Sequence, residues 1–190
     1  MVKLTIDGIQ VEAEKGTSIL HAAESVGIEV PTLCYIKDLL PDGSCRMCMV
    51  EIESRGRTKM ETACTAQVAE GLVVTTNSEK VRNARRNILD MLLSNHKTDC
   101  FSCPSNGDCK LQELCFEYGI ERTTYSGEQT ELPIDDSNKF FTYNPNLCIL
   151  CHRCVNTCHK IVGRGAIDTM ERGFDSAIGT PFHIDWADTN

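Results

Sequence analysis

Residues 2–13 alternate between apolar and polar positions in two short runs that predict a β-hairpin. Apolar side chains take every second place in residues 2–6 and again in residues 9–13, and Asp7-Gly8 stands between the two runs. The central residues of a two-residue hairpin turn need positive φ, which Asp and Gly tolerate. The pattern therefore predicts two paired antiparallel strands at the start of the chain.

The next segment predicts one helix and further strands. Apolar residues at helical spacing indicate a helix that begins near Thr17 or Ser18 and stops at Gly27. Residues 47–52 and 72–75 are typical of strands, with a loop around Gly56 between them. A hairpin, a helix and more strands predict a small α+β domain over residues 1–76, in which one helix covers a sheet.

Helical periodicity replaces strand alternation after residue 76. Asn77 is the predicted N-cap of a helix over residues 78–94, and a short helix over 111–118 is predicted to end at Gly119. These two helices define a predicted helical segment at residues 77–120. Residues 121–139 are polar and predict a linker, and residues 140–190 form the last predicted segment.

Composition and charge exclude several classes of protein. The net charge is −8 and no run of Lys and Arg resembles a nucleic-acid footprint. No apolar stretch is long enough to span a bilayer, and the first residues lack the pattern of a secretory signal. We therefore expect a cytoplasmic protein whose thiols stay reduced. Dinucleotide fingerprints, phosphate-binding loops and hydrolase motifs are absent, so no catalytic residue is predicted.

The cysteines are the main candidate metal ligands of the chain. Eleven of the twelve cysteines, together with His96, fall into three runs of four candidate metal ligands. The first run is Cys34, Cys45, Cys48 and Cys64; the second is His96, Cys100, Cys103 and Cys109; the third is Cys148, Cys151, Cys154 and Cys158. Cys115 has no partner at ligand spacing and shares a helical face with Leu111 and Leu114, so it is interpreted as a small buried apolar residue.

The first run favours a [2Fe–2S] cluster. Cys45 and Cys48 are two residues apart, so a tight loop can aim both sulfurs at one iron, and Cys34 and Cys64 would close the site. Ten residues separate the first two cysteines, against about four in the plant-type arrangement. Gly43 suits a backbone that wraps closely around a cluster. A zinc site is the alternative, although zinc ribbons usually present two close pairs.

The second run combines three cysteines with a histidine, which is also a common zinc set. Its position between two cluster motifs favours an iron–sulfur centre, and a histidine ligand should raise the potential of that centre. His96 can also interact with the C-terminal end of the preceding helix. The two roles are compatible.

The third run matches the bacterial ferredoxin spacing C-x2-C-x2-C-x3-C, the most specific signal in the chain. In two-cluster ferredoxins the fourth cysteine ligates the other cluster. No cysteine follows Cys158, and His159 stands where a proline is usual. The third site is therefore expected to take its fourth ligand from outside this sequence or from Cys158, and the sequence is expected to be a fragment or a short subunit.

With all three runs in order, the chain resembles the N-terminal iron–sulfur region shared by multimeric [FeFe]-hydrogenases, NAD-linked formate dehydrogenases and the large iron–sulfur subunit of complex I. The resemblance rests on the cysteine runs, on the helix that leads to His96 and on the segment after Cys109. Residues 172–175, Arg-Gly-Phe-Asp, look most like the catalytic subunit of electron-bifurcating [FeFe]-hydrogenases.

The resemblance implies a fold, cofactors and ligands. The first run would hold a [2Fe–2S] cluster on a β-grasp fold, and the second a [4Fe–4S] cluster with His96 as one ligand. Cys148, Cys151 and Cys154 would hold a third cluster, of the [4Fe–4S] type, in a partial bacterial-type ferredoxin domain. Cys158 would serve a neighbouring [4Fe–4S] cluster.

The implied function is an electron relay in a multisubunit NAD(H)-linked oxidoreductase. The partners would be a flavin- and NAD-binding subunit, a thioredoxin-like [2Fe–2S] subunit and ferredoxin, with the catalytic centre outside these residues. The alternatives are the same relay in a formate dehydrogenase or another NAD- or ferredoxin-linked complex, a free multi-cluster ferredoxin, and a zinc-binding scaffold.

Overall fold

The structure, a computed structural model, describes residues 1–189. Its described residues divide into two compact units, one formed by residues 1–90 and 107–121 and the other by residues 91–106 and 122–189. The domain boundaries predicted after residues 76, 120 and 139 rest on periodicity and composition rather than on compactness, and they stay predictions. Within residues 1–189, no helix is both long enough and apolar enough to cross a membrane.

The first unit is built on a five-stranded mixed sheet. Its strands are β1 (Val2–Ile6), β2 (Ile9–Ala13), β3 (Met49–Ser54), β4 (Arg57–Thr62) and β5 (Leu72–Thr75). The spatial order is β2-β1-β5-β3-β4. β1 runs parallel to β5, and the other neighbouring pairs are antiparallel. The parallel central pair requires a crossover, which the helix and loops between β2 and β5 provide.

Two tight turns set the register of the outer strands. Asp7 and Gly8 both adopt positive φ, 46° and 84°, and pair Val2 with Ala13, as the sequence predicts. Arg55 and Gly56 also adopt positive φ, 52° and 71°, in the turn that joins β3 to β4. The prediction of a plain loop here missed β4 altogether. β3 also lies two residues later in the chain than predicted.

The helix α1 (Ile19–Glu24) covers one face of the sheet. Ser18 caps it, because its side chain accepts a hydrogen bond from the backbone N–H of His21. Its buried residues join a core contributed by both the helix and the strands, which includes Leu4, Ile6, Val50, Val74, Ile19, Leu20 and Ala23. The α+β class is therefore as predicted, with the core between α1 and the sheet.

Two more helices lie on either side of the cysteines of the second run in the sequence. α2 (Glu79–Ser94) has Ser78 at its N-cap, rather than the predicted cap Asn77. The Ser78 hydroxyl accepts a hydrogen bond from the Val81 N–H (3.2 Å) and donates one to Glu51 (2.9 Å). α3 (Lys110–Glu117) follows Cys109 and buries Leu111, Leu114 and Cys115, which agrees with the interpretation of Cys115 as an apolar core residue.

The second unit contains short elements. α4 (Arg153–Asn156) continues into a π-helical turn at Thr157–Val162, and β6 (Asp168–Met170) pairs with β7 (Ala177–Gly179). The predicted linker, residues 121–139, has no helix or extended strand, but it is held in place. The buried Asn146 side chain accepts from the Leu132 N–H (2.9 Å) and donates to the Leu132 carbonyl (2.8 Å).

Candidate metal centres

The four cysteines of the first site (Cys34, Cys45, Cys48 and Cys64) lie in one unit, on loops beside the sheet. Cys45 and Cys48 precede β3, Cys64 follows β4, and Cys34 lies in the loop after α1. Three of the side chains are buried, with exposed fractions of 5% for Cys34, 1% for Cys48 and 2% for Cys64. The fold thus brings together four thiols that are separated by up to 30 positions in the sequence and removes most of them from water.

The four sulfurs are arranged as two pairs. The Sγ atoms of Cys48 and Cys64 are 3.3 Å apart, and the thiol of Cys34 is hydrogen-bonded to that of Cys45. The expectation that Cys45 and Cys48 share one iron does not fit this arrangement, because each is paired with a residue from a flanking segment. Two pairs of sulfurs suit a cluster with two irons, each of which needs two thiolates.

Each pair favours one thiolate. The hydrogen bond from Cys45 is the main cause that lowers the pKa of Cys34 to about 5, and the pKa of Cys45 is raised correspondingly. The hydrogen bond with Cys64 lowers the pKa of Cys48 to about 7, and that of Cys64 is raised. Thiolates are the form that binds iron, so Cys34 and Cys48 are the two thiols whose surroundings favour that form.

The loop around the first site is tightly folded. Gly43 adopts φ of +65°, and a Cβ added there would lie 3.0 Å from Cγ2 of Thr65. The backbone at Gly43 therefore passes close to the Thr65 side chain, and the expected close wrapping around a cluster stays a prediction. Arg46 also has positive φ (58°), and the Met47 N–H points at Cys45 Sγ (3.4 Å). Sequence reasoning gave no role to Arg46 or Thr65, because neither residue type signals a turn.

His96 lies just beyond the end of α2, where its backbone N–H donates to the Leu93 carbonyl. Its Nδ1 atom is buried and has no hydrogen-bond partner among the described residues. Burial lowers the pKa of His96, which favours the neutral imidazole. A neutral ring with an unpartnered buried nitrogen fits a metal ligand.

The three cysteines of the second run are half-buried. A backbone hydrogen bond from Cys103 to the Cys100 carbonyl (3.3 Å) folds the loop after His96, and Cys109 precedes α3. His96, Cys100 and Cys103 belong to the second unit and Cys109 to the first. The grouping of these four residues into one site (the second site) stays a prediction.

The third site (Cys148, Cys151, Cys154 and Cys158) lies in the second unit. Leu150 and His152 adopt positive φ, 52° and 57°, and curve the loop around Cys151. Backbone N–H groups point at two of the sulfurs, from Leu150 to Cys148 (3.4 Å) and from Ala166 to Cys158 (3.3 Å). Burial raises the pKa of Cys148 and of Cys154. N–H groups aimed at sulfur suit thiolates that carry a cluster.

No group of three or more His, Cys, Asp or Glu side chains within residues 1–189 is arranged to hold a single metal ion. The sulfurs stand instead as pairs or along curved loops.

Comparison with known proteins connects these loops to cluster binding. Residues 1–79 match the family described as a 2Fe-2S iron-sulfur cluster binding domain. Residues 85–124 match the NADH-ubiquinone oxidoreductase-G iron-sulfur binding region. A chain in the crystal structure of an NAD+-reducing [NiFe]-hydrogenase in the H2-reduced state superposes with a TM-score of 0.89 at 30% identity, over 99% of this chain and 79% of that one. The chain belongs to the iron–sulfur subunit family of NAD(P)-linked hydrogenases and complex I-type oxidoreductases.

Curated relatives come from several branches of the family. The alpha subunit of the NADPH-Fe(3+) oxidoreductase of Geobacter sulfurreducens is 40% identical over 98% of this chain and 22% of its own length. The mitochondrial NADH-ubiquinone oxidoreductase 78 kDa subunit of Candida albicans is 36% identical over 94% of this chain and 25% of its own length. NADP-reducing hydrogenase subunit HndD of Solidesulfovibrio fructosivorans is 36% identical over 100% of this chain and 33% of its own length. The chain thus spans between 22% and 33% of the length of these relatives.

These findings confirm three predictions from the sequence. The resemblance to hydrogenase and complex I iron–sulfur subunits is confirmed, as is the α+β class with a β-grasp domain. The cofactor types are confirmed too, because one matched region binds a 2Fe-2S cluster and the other is an iron–sulfur binding region of the 4Fe-4S type. The individual ligands stay predictions.

Proposed function

We propose that this chain is an electron-relay iron–sulfur module of a multisubunit NAD(P)H-linked oxidoreductase. The observation that carries the proposal is the two thiol pairs, with three of the four side chains buried, in a domain that matches the 2Fe-2S family. The relatives named above are subunits of an iron(III) oxidoreductase, a ubiquinone oxidoreductase and a hydrogenase. A module common to these different reactions is suited to electron transfer rather than to any one terminal chemistry.

The proposed ligands follow the three runs. Cys34, Cys45, Cys48 and Cys64 would hold the [2Fe–2S] cluster, and His96, Cys100, Cys103 and Cys109 a [4Fe–4S] cluster. Cys148, Cys151 and Cys154 would hold a further [4Fe–4S] cluster whose fourth ligand is Cys158 or a residue outside this sequence. In the second case Cys158 would serve a neighbouring cluster.

When bound, the clusters supply one-electron redox chemistry. The protein's own residues hold them and set their surroundings. Burial of Cys34, Cys48 and Cys64 keeps water from the first site. The N–H groups of Met47, Leu150 and Ala166 point at the sulfurs of Cys45, Cys148 and Cys158 and would stabilise the negative charge of a bound cluster. The neutral His96 would bind without adding negative charge.

The proposed partners are a subunit that binds flavin and NAD(P)H, a thioredoxin-like [2Fe–2S] subunit and ferredoxin, in the cytoplasm. The catalytic centre would lie outside these residues, and the terminal reaction would be that of a hydrogenase. Support comes from the hydrogenase relative and from the NAD+-reducing hydrogenase structure, whose matched parts cover nearly the whole of this chain.

The proposal is tested by anaerobic purification with iron and acid-labile sulfide analysis and electron paramagnetic resonance of the reduced protein. We expect one [2Fe–2S] signal and at least one [4Fe–4S] signal. A colourless protein that contains zinc and no labile sulfide would overturn the proposal. Co-purification with partner subunits separates the module from a free ferredoxin, which would elute alone in gel filtration.

A further inference from the structure

Arg85 is a buried cation in the core of the first unit. It lies on α2, and only 3% of its surface is exposed. Among the Asp, Glu, Lys and Arg residues at positions 1–189, which the structure describes, it alone is buried. Arginine cannot lose its proton inside a protein, so this charge persists under all ordinary conditions.

The guanidinium is held by two oxygens that carry no formal charge. Its Nη1 donates to the Tyr118 hydroxyl (2.9 Å) and its Nη2 donates to the Met49 carbonyl (2.8 Å). Its Nε is buried and has no partner within the described part of the chain. Both acceptors belong to the same compact unit as Arg85. A buried charge without a bonded counter-ion is costly, which makes a nearby negative group the expected compensation.

The first site, when it holds its proposed cluster, would supply a negative group near this cation, and the connection between the two is Met49. Met49 directly follows Cys48 in the sequence, so the carbonyl that binds Arg85 belongs to the residue next to a proposed ligand. Cys48 Sγ in turn lies 3.3 Å from Cys64 Sγ. Four thiolates give a [2Fe–2S] site a net negative charge, and reduction adds one more electron. A fixed cation next to a buried site therefore stabilises the reduced state of the cluster more than the oxidised state.

We propose that Arg85 is a positioning residue that raises the reduction potential of the cluster at the first site. This inference rests on the proposed function, specifically on a [2Fe–2S] cluster at the first site. Arg85 acts through the Met49 carbonyl and through its charge, and it needs no contact with the iron.

Tyr118 holds the cation in place. It is 3% exposed, and its ring lies 5.6 Å from the guanidinium carbon of Arg82. Arg86 donates to its backbone carbonyl (2.8 Å), which fixes the end of α3. The planar fork of arginine bridges the Tyr118 hydroxyl and the Met49 carbonyl at once, which a lysine ammonium cannot do with the same geometry.

The test is a redox titration of the purified protein with its clusters, reduced stepwise with dithionite and followed by electron paramagnetic resonance. The variants are Arg85→Gln, Arg85→Lys and, as a matched control, Arg57→Gln, which removes an exposed charge from the same unit. We expect Arg85→Gln to keep the [2Fe–2S] signal and to shift its midpoint to a more negative potential. Arg85→Lys should recover part of the shift, and Arg57→Gln should match the wild type because water and salt screen exposed charges.

The outcomes separate this inference from the proposed function. A wild-type protein without any [2Fe–2S] signal would overturn the proposed function. A [2Fe–2S] signal in Arg85→Gln at the wild-type potential would overturn the role of Arg85 alone, and so would an equal shift in Arg57→Gln.

If Arg85→Gln does not assemble its [2Fe–2S] cluster, Tyr118→Phe tests whether Arg85 raises the reduction potential. With one acceptor lost, the guanidinium should relax towards water and its effect should weaken, so we expect a midpoint more negative than that of the wild type. An unchanged midpoint in Tyr118→Phe would then overturn the inference.

Discussion

Cys34, Cys48 and Cys64 are withdrawn from water, whereas Cys154 of the third site is exposed. Water screens charges and lowers their effect on a nearby group, so the same change of charge acts more strongly at a buried site. Single substitutions should therefore move the properties of the first site more than those of the third. Two further predictions at the scale of single residues concern Gly43, in the loop of the first site, and His96, in the second run.

Gly43→Ala should destabilise the protein more than Gly56→Ala. Both glycines have positive φ, which costs an L-residue about 1–2 kcal/mol. At Gly43 the new Cβ would also lie 3.0 Å from Thr65, whereas at Gly56 nothing lies within 4 Å. We expect the crowding to add about 1–3 kcal/mol at Gly43. Thermal unfolding and iron content measure the difference, and equal losses in the two variants would contradict it.

His96→Cys should keep the cluster of the second site and lower its reduction potential. A thiolate brings a negative charge that the neutral imidazole lacks, so the oxidised state is favoured. Redox titration by electron paramagnetic resonance measures the shift. His183→Cys is the matched control, because that side chain is 65% exposed. An unchanged potential in His96→Cys would show that His96 is not a ligand.

At the scale of elements, turn chemistry decides how much of the sheet could be predicted. Asp7-Gly8 is a common signal for a tight hairpin, and the structure has that hairpin. Arg55-Gly56 makes a similar turn, but arginine rarely signals positive φ. β4 is also polar over most of its length, with Thr62 as its one buried residue. Its pairing with β3 depends on the sheet, which no local pattern reveals.

The N-cap of α2 is another position that the local sequence pattern predicts wrongly, and it can be tested. Ser78→Ala should cost about 1 kcal/mol of unfolding free energy, because it removes the acceptor for the Val81 N–H and the donor to Glu51. Asn77→Ala is the control. Its side chain accepts one long hydrogen bond from exposed Arg82 (3.4 Å), so we expect a change within about 0.5 kcal/mol. Chemical unfolding followed by circular dichroism measures both, and a larger loss in Asn77→Ala would make Asn77 the cap.

On the scale of the whole molecule, the sequence predicts the three cysteine runs but not which sulfurs pair with each other. Spacing identifies Cys45 and Cys48 as neighbours in one loop, yet each sulfur finds its partner in another segment. The partners are Cys34, in the loop after α1, and Cys64, after β4. Their positions depend on the folded sheet and are not given by sequence spacing. The division into two units is equally invisible in the sequence, because residues 107–121 join the first unit after an excursion through the second.

This division predicts that the clusters load separately. All four cysteines of the first site lie in the first unit and all four of the third site in the second. Cys64→Ser should therefore abolish the [2Fe–2S] signal and leave a [4Fe–4S] signal, because serine is a poorer ligand for iron than a thiolate.

Cys115→Ser is the matched control for Cys64→Ser, since Cys115 is buried on α3 beside Leu111 and Leu114 and is no proposed ligand. It should keep both signals, although a hydroxyl in that apolar position lowers stability. Electron paramagnetic resonance and labile-sulfide content report the result. Joint loss of all signals in Cys64→Ser would contradict separate loading, and a surviving [2Fe–2S] signal would remove Cys64 from the ligand set.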